Sequence, residues 1–437
     1  MKRTLHTAGA LLAAGGLLAT SACGGSSGNE SGGKTTVTVM TWESNATNQL
    51  IDKALAGFND PDITVKRIDT PNGNYGDKLA SLTQAKKLPD LFWCGNDTEL
   101  QYTGQGLLTD WSDRLSGSGS GSGSGDFTTS SFVPTAMKNW KTADGKIGGV
   151  PSLMNTYGIW YDIDAFKAAG IPLPDAGWTW DEMYAAADKL HKKGAKYGLV
   201  ADAMTALDGP FSASLYSLSA GGAPFADSVH QPTEVTADAT YTEGVGKLVA
   251  GIKSGAVAPP GYDISSQQSL FAAGEIPMLW SGQWLAAGFL TDKPKIEYGF
   301  APLPQVDKAA TLYDAVGICT PSYTKNADAT FKVLSYLDST VWTKVLPDSP
   351  VAVPAYTAAQ DAYFDALDKA GLATVASTVK ADLDAPLTMG VRFTTQWASQ
   401  SNDLITAYWP DILQGKKPLS DLQTMTDKIN DVIKSNG

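Results

Sequence analysis

Short apolar runs typical of β-strands alternate with helical patterns in the first part of this chain. The strands are predicted at 36–41, 63–68 and 91–94, and helices are predicted between them at 47–58 and 77–86. Strands separated by helices in this way pair side by side, with the helices covering the sheet. This alternation predicts an α/β fold built on a mostly parallel, doubly wound sheet.

The length of the chain adds a second constraint on the fold. At 437 residues it exceeds what one ordinary hydrophobic core supports, so two lobes of similar size are expected. The protein carries 45 acidic against 33 basic side chains, a net charge of -12. An acidic surface repels phosphates, which disfavours nucleic acid and anionic membrane surfaces as partners of the folded body.

The amino terminus is predicted to be an export signal. Lys2 and Arg3 precede a run of apolar and small residues at 8–18 that is too short to span a bilayer. Residues 1–22 are therefore predicted to be a signal peptide, and residues 23–35 a flexible tether. Cys23 directly after small residues resembles a bacterial lipoprotein signal, although Thr20 stands where Leu is usual. The resemblance implies lipid anchoring at Cys23 on the extracellular face of the membrane; the alternative is ordinary secretion.

Export would place the two other cysteines of the mature chain in a compartment where disulfides persist. Cys94 and Cys319 each end a predicted buried strand, so they form either a disulfide or two separate buried thiols. The Ser/Gly alternation at 116–125 is typical of a flexible coil. The sequence on either side of it reads as one continuing lobe, which favours a surface loop over a linker between domains.

Polar and aromatic residues follow three of the predicted strands. The strand at 276–280 ends at Gly282, Gln283 and Trp284, which offer close backbone approach, amide hydrogen bonding and an aromatic face. Carboxyl ends of strands are the favoured ligand position in α/β folds, and the same rule selects 42–45 and 95–97. Trp284 could instead fill core, and Ser44, Asn96 and Asp97 could be helix caps.

Several short motifs occur in a characteristic order along the chain. They are Leu88-Pro89-Asp90, Gly149-Val150-Pro151, Trp178-Thr179-Trp180-Asp181-Glu182, Phe271-Ala272-Ala273-Gly274-Glu275-Ile276-Pro277-Met278 and Ser281-Gly282-Gln283-Trp284. In this order they resemble the extracellular solute-binding proteins of ABC importers, the large sugar-binding family that includes maltose-binding protein. The resemblance runs from residue 36 to residue 433.

The resemblance implies two α/β lobes of the type II periplasmic-binding-protein class, joined by crossover hinge segments. It implies one lobe from 36–145 plus 303–340 and a second from 146–300 plus 341–437, with a ligand cleft between them. The implied function is extracellular capture of a mono- or oligosaccharide and delivery to the membrane permease of the importer. The resemblance also implies a monomer without a cofactor.

The positions that match the family's ligand contacts provide the candidate site. They are Trp42, Glu43, Ser44, Asn96, Asp97, Asn155, Tyr157, Asp208, Phe211, Gly282, Trp284, Arg392 and Trp397. Tryptophan platforms with amides and carboxylates suit a sugar, which has apolar C–H faces and a rim of hydroxyls. Arg392 could instead form a surface ion pair. The chain lacks a Glu at Asn155 and an aromatic near Ser214, so the resemblance does not extend to a malto-oligosaccharide ligand.

Two other function classes stay open at this point. A secreted glycosidase would need two carboxylates, for which Glu43 and Asp97 are candidates. Metal or triad chemistry has little support, since His191 and His230 have no ligand-like spacing and no Gly-x-Ser-x-Gly motif occurs. No catalytic residue, metal or cofactor is therefore expected. The other alternative is a binder of a non-sugar solute such as a polyol.

Overall fold

The computed structural model describes residues 34–70, 74–117, 127–262 and 266–436. The predicted signal peptide 1–22, the lipidation site Cys23, nearly all of the tether 23–35 and most of the Ser/Gly run 116–125 lie outside the described residues. In the described ranges, no helix is long and apolar enough to cross a membrane.

Ten strands form two sheets in the described part of the chain. The strands are β1 Thr35–Met40, β2 Ile63–Ile68, β3 Leu91–Gly95, β4 Gly149–Asn155, β5 Tyr157–Asp162, β6 Met278–Gly282, β7 Tyr298–Pro302, β8 Ala310–Cys319, β9 Val353–Pro354 and β10 Leu387–Gly390. The larger sheet has the order β2-β1-β3-β8-β4-β9, with β10 paired to β8, and the smaller has the order β6-β5-β7.

Helices connect and cover these sheets. They are α1 Asn45–Leu55, α2 Tyr75–Gln84, α3 Asn96–Gly104, α4 Ser112–Leu115, α5 Pro134–Lys138, α6 Ile163–Ala169, α7 Trp180–Lys192, α8 Asp202–Thr205, α9 Gly209–Ser219, α10 Ala239–Ser254, α11 Gln267–Ala272, α12 Leu285–Asp292, α13 Ala327–Tyr336, α14 Trp342–Val345, α15 Gln360–Lys369, α16 Ala373–Leu383, α17 Ala398–Leu413 and α18 Asp421–Asn436. A π-helical turn, Leu337–Val341, joins α13 to α14.

The α/β class predicted from the sequence is confirmed, and the first three strands have the predicted parallel pairing. β1 lies between β2 and β3 and is parallel to both. The smaller sheet differs from a parallel sheet, because β5 pairs antiparallel with β6 on one side and β7 on the other. In the larger sheet, β8 is antiparallel to both β3 and β4. The start of β8 therefore lies at the same edge as the carboxyl ends of β1, β3 and β4.

Local sequence signals account for the ends of several helices. Ser44 accepts a hydrogen bond from the amide of Thr47 and caps α1. Thr179 and Glu182 form the reciprocal capping box of α7 that the sequence predicts. α6 ends at Gly170 with φ of 62°, a left-handed conformation in which glycine has no Cβ to clash.

Two local sequence signals do not hold in the fold. A proline usually ends a helix, but Pro410 lies inside α17, which continues to Leu413. The run at 197–200 has the pattern of a strand but forms single bridges, from Leu199 to Val257 and from Val200 to Leu279. Tertiary packing overrides local propensity at both places.

Cys94 and Cys319 form a disulfide with their Cα atoms 6.0 Å apart. In the β3–β8 ladder, Phe92 pairs with Cys319 and Cys94 pairs with Gly317, so the bridge crosses diagonally between the two antiparallel strands. Of the two alternatives that the sequence left open, the disulfide is the one that forms.

Hydrophobic side chains pack in two clusters. The first contains Trp93 and Trp342 and extends from the larger sheet to Trp160 and Leu279 of the smaller one. The second contains Trp180, Trp280 and Trp409, and includes α17 and α18. The exact lobe boundaries remain a prediction, although β4, which the sequence assigned to the second lobe, pairs with β8 in the larger sheet.

Candidate ligand-binding cleft

A cavity of about 960 Å³ opens at the edge of the larger sheet where the strands end. The turn after β1, the end of β3, the end of β4 and the start of β8 all contribute to its wall. The segments 284–292 and 348–352 add further lining residues. The strand pairing explains this convergence, since Gly95 pairs with Val316 and Asn155 pairs with Asp314 across β8.

Nine of the thirteen predicted site residues line this cavity. They are Trp42, Glu43, Ser44, Asn96, Asp97, Asn155, Tyr157, Trp284 and Arg392. Because they come from distant parts of the chain, the fold is what brings them to one surface.

Aromatic rings lie on two sides of the cavity. Trp42 packs edge-on against Tyr75, with ring centroids 5.1 Å apart. Trp284 packs edge-on against Tyr157 at 5.4 Å. All four rings contribute to the lining. Flat aromatic faces of this kind stack on the apolar C–H faces of a sugar ring.

The glycine at the end of β6 makes room for one of these rings. Gly282 pairs with Tyr157 across the β5–β6 ladder, and a Cβ atom built on Gly282 would come within 1.8 Å of the Trp284 ring. Gly282 is buried and its carbonyl accepts a hydrogen bond from Trp160 Nε1 at 3.0 Å. It therefore supports Trp284 and does not itself line the cavity.

Glu43 is held in the cleft by one of its two carboxylate oxygens. Trp93 Nε1 donates a hydrogen bond of 3.0 Å to Glu43 Oε1. Burial raises the pKa of Glu43, and the hydrogen bond from Trp93 opposes that shift. Asn48 Nδ2 binds the Glu43 carbonyl at 2.8 Å, so the turn that carries this side chain is fixed by α1.

Of the three residues predicted either as ligand contacts or as helix caps, all line the cavity and Ser44 alone also caps a helix. Ser44 lines the cavity and also caps α1. Asp97 Oδ1 accepts a hydrogen bond of 2.7 Å from the Thr98 amide, which leaves its other oxygen toward Arg392. Asn96 lines the cavity at the start of α3 and is largely buried.

Arg392 lies among three carboxylates. Its Nη2 contacts Asp208 Oδ2 at 2.8 Å, and its Nη1 is 3.9 Å from Asp97 Oδ2. These two carboxylates and Asp314 raise the pKa of Arg392, against an opposing effect of burial. Burial raises the pKa of Asp208 and of Asp314, while the positive charge of Arg392 lowers it. The ion pair that the sequence offered as an alternative role for Arg392 is formed, inside the cleft.

Asp314 is a cleft residue that sequence reasoning missed. It lies opposite Asn155 in the β4–β8 ladder, and Asn155 Nδ2 donates a hydrogen bond of 3.1 Å to its Oδ2. The apolar run that predicts the strand ending at Cys319 covers only residues 316–319, whereas β8 begins at Ala310. Recognising the alternating pattern upstream of 316 would have placed Asp314 at the sheet edge. Tyr75, Asp292 and Asp348 also line the cavity and were not predicted.

Four predicted contacts lie outside the cavity lining. Phe211 is fully buried and packs against Phe225 and Phe393, so it is a core residue. Trp397 packs against Phe393 with centroids 5.4 Å apart. Asp208 reaches the cleft only through Arg392, and Gly282 lies beneath Trp284.

Gln283 has a structural role instead of the sugar contact that its amide suggested. It is fully buried. Its Oε1 accepts from the Thr156 amide at 2.9 Å and its Nε2 donates to the Met154 carbonyl at 2.9 Å. Both ends of the amide are thus used to tie the end of β6 to Met154 in β4 and to Thr156 directly after it.

Metal chemistry has no site in the part of the chain that the structure describes. No group of three or more His, Cys, Asp or Glu side chains there could hold a metal ion. His191 lies at the end of α7, where Nδ1 contacts the Ala195 carbonyl at 3.0 Å. His230 contacts Thr394 and Asn139 and does not line the cavity.

Comparisons with known proteins agree with this architecture. A putative binding protein of Brucella abortus strain 2308 is 24% identical over 266 residues, which is 59% of this chain and 62% of that protein's length. A Listeria monocytogenes ABC substrate-binding protein in complex with cycloalternan has a TM-score of 0.76 at 23% identity, covering 92% of this chain and 100% of that chain. A cyclic alpha-maltosyl-1,6-maltose binding protein from Arthrobacter globiformis has a TM-score of 0.72 at 20% identity, covering 93% and 100%.

The family described as bacterial extracellular solute-binding protein matches residues 42–344. The match begins at Trp42, in the cleft, and ends in α14, so it includes most of the larger sheet and all of the smaller one. On this match, supported by the fold, the chain belongs to the bacterial extracellular solute-binding protein family.

Proposed function

We propose that this protein is the substrate-binding component of an ABC importer and holds a mono- or oligosaccharide in its cleft for delivery to a membrane permease. The observation that carries the proposal is the lining of the cavity, where four aromatic rings lie beside amide and carboxylate side chains. This is the combination that sugar recognition requires, because one face of a sugar is apolar and its rim bears hydroxyls.

The size and chemistry of the cleft support a carbohydrate over a purely apolar ligand. A volume of about 960 Å³ lies in the range of small-molecule sites. Asn96, Asn155 and Glu43 reach this volume from three different strand ends. The Listeria protein that shares the fold is in complex with cycloalternan, and the Arthrobacter protein binds cyclic alpha-maltosyl-1,6-maltose. Both favour a saccharide as the ligand here.

Delivery to a permease places the protein at the outer face of the cell membrane. We propose that the chain is exported by its signal peptide and anchored through a lipid on Cys23, with the tether allowing the folded part to reach the permease. Replacing Cys23 with Ala should move the protein from the membrane fraction to the medium, whereas an equal substitution at Ser26 should leave it membrane-bound.

Binding by the folded, mature chain tests the proposed function. The chain from residue 34 should be titrated calorimetrically with mono-, di- and oligosaccharides, and melting temperatures should rise with the saccharide that binds. Trp284→Ala should weaken the affinity for that saccharide about tenfold or more. The reason is that an aromatic face of this size contributes about 1.5–3 kcal/mol to binding when the ligand covers it.

Trp397→Ala is the matched control, since Trp397 is also a half-buried tryptophan but does not line the cavity. An equal loss of affinity in both variants would contradict the proposed site. Binding of a polyol but of no saccharide would change the ligand class, and cleavage of the saccharide during the titration would favour the glycosidase alternative.

A further inference from the structure

The cleft has a large excess of negative charge. Among its described lining residues, five are acidic and one is basic. The acidic residues are Glu43, Asp97, Asp292, Asp314 and Asp348, and the basic residue is Arg392. A ligand bearing phosphate or carboxylate groups would meet repulsion throughout this cavity. Neutral carbohydrate needs hydrogen-bond acceptors, but it does not need an excess of four negative charges.

The one arginine is already occupied by the protein's own carboxylates. Arg392 contacts Asp208 at 2.8 Å and lies 3.9 Å from Asp97, and its charge also acts on Asp314. One cation therefore faces three carboxylates, and Arg392 is not among the groups that lower the pKa of Glu43.

Glu43 is the half-buried lining carboxylate that no protein cation balances, whereas Asp292 and Asp348, which also lack an ion pair in the described structure, are exposed. One oxygen accepts the hydrogen bond from Trp93. Its Oε2 has no hydrogen bond within the described residues, although Glu43 lines the cavity. Burial raises its pKa, and no basic side chain contributes to lowering it. A partly buried carboxylate without a cationic partner is stabilised strongly by a cation that a ligand brings.

Aromatic rings beside Glu43 also favour a cation. Trp42 is its neighbour in the chain and packs edge-on against Tyr75 at 5.1 Å, and both rings line the same wall. The faces of tryptophan and tyrosine attract ammonium groups, more strongly when water is excluded. The same rings can stack on a sugar, so a ligand that has both a sugar ring and an amine uses every feature of this wall.

We propose that the cleft selects a polyhydroxylated ligand with a protonated amine, such as an amino sugar or its oligomers, whose ammonium group lies between Glu43 Oε2 and the Trp42–Tyr75 pair. This rests on the proposed carbohydrate-binding function and narrows its ligand class. Glu43 is then the specificity-determining residue, and the aromatic rings hold the sugar ring that carries the amine.

Matched ligand pairs test this selectivity. Glucosamine and its oligomers of increasing length should be titrated calorimetrically beside the corresponding N-acetylated and glucose compounds at about pH 6.5, where the amine is protonated. The amine should bind about tenfold or more tightly than its N-acetylated partner, because a charge-assisted hydrogen bond replaces an uncompensated carboxylate. Raising the salt from about 50 to about 500 mM should reduce that ratio.

Glu43→Gln should reduce the ratio of the affinity for the amine ligand to that for its N-acetylated partner to about one. Gln still accepts the hydrogen bond from Trp93 but carries no charge. Glu297 is exposed and pairs with Lys167 outside the cleft, so Glu297→Gln is the control and should leave this ratio of affinities as in the wild type. Neutral saccharides that bind as tightly as the amines, or more tightly, would overturn this inference while leaving the proposed function standing. Failure of every saccharide to bind would overturn both.

Discussion

Arg392 determines how the charges of the cleft coexist. Its guanidinium contacts Asp208, which precedes α9, and approaches Asp97, which follows β3. Asp208 Oδ1 is buried without a hydrogen-bond partner in the described structure. The arginine is therefore the main group that makes this carboxylate tolerable at a partly buried position.

Replacing Arg392 with Met should destabilise the protein by about 1 kcal/mol, a modest figure because the arginine side chain is 41% exposed and solvent screens its charge. Urea unfolding of the two proteins measures the difference. Lys192→Met, which breaks an exposed pair with Asp188, is the control and should have a smaller effect. Equal effects would show that the cleft arginine has no special role.

Glu99 is a buried acid behind the cleft with a strongly perturbed pKa. It is fully buried, and its Oε1 accepts hydrogen bonds from Thr103 Oγ1 at 2.8 Å and from the Gly148 amide at 2.7 Å. Its Oε2 has no partner. Burial is the main cause that raises its pKa from 4.5 to about 8.

This shift makes stability depend on pH in a defined direction. Because the pKa is raised on folding, the contribution of Glu99 is fully present below about pH 4.5 and is lost as the pH rises to about 8. Glu99→Gln retains an acceptor and cannot ionise, so its stability relative to wild type should increase by up to about 5 kcal/mol over that interval. Urea unfolding at several pH values measures this, and a constant difference would contradict it.

At the scale of secondary structure, the disulfide joins two strands of the larger sheet whose cysteines are 225 residues apart in sequence. β3 and β8 border the cleft, and Cys94 itself lines it. A cross-link that closes so long a loop removes many conformations from the unfolded chain. The disulfide should therefore raise the free energy of unfolding mainly through its effect on the unfolded chain, and less through its contacts in the folded protein.

Reduction of this disulfide should lower stability by about 3–5 kcal/mol and the melting temperature by about 5–10 °C. Calorimetry with and without a thiol reductant measures the change. The double variant Cys94→Ala, Cys319→Ala should melt near the reduced wild type and should not respond to reductant. A wild type that is indifferent to reductant would contradict the prediction.

At the scale of the whole molecule, a histidine connects the two hydrophobic clusters. His230 Nε2 is 3.2 Å from Asn139 Oδ1, and His230 Nδ1 is 2.6 Å from Thr394 Oγ1. Asn139 is next to Trp140 of the first cluster, and Thr394 is next to Phe393 of the second. The proposed function requires the two lobes to exchange between open and closed arrangements.

Ligand binding should therefore compact the protein. We expect the radius of gyration from small-angle X-ray scattering to fall when a bound saccharide shifts the population to the closed arrangement. Trp284→Ala should remain expanded at a ligand concentration that saturates the wild type. Tight binding without any compaction would rule out closure as the mechanism.

Whether a site residue can be predicted from the sequence depends on where it lies in its strand or helix. Trp42, Asp97 and Trp284 follow strands whose apolar pattern is evident in the sequence, so the rule that ligands lie at carboxyl ends of strands locates them. Asp314 lies within a longer strand whose amino-terminal half was not recognised. Phe211 was placed in the site by the resemblance alone, and packing against Phe225 and Phe393 makes it a core residue.

Neighbouring residues are enough to predict the α/β class, the alternation of β1, β2 and β3 with helices, the capping box of α7 and the polar turns that follow the strands. Long-range packing is needed to establish the antiparallel course of β8, the disulfide, the ion pairs of Arg392 and the internal role of Gln283. These depend on contacts between residues far apart in the chain, and local propensity carries no information about which distant partners the packed core brings together.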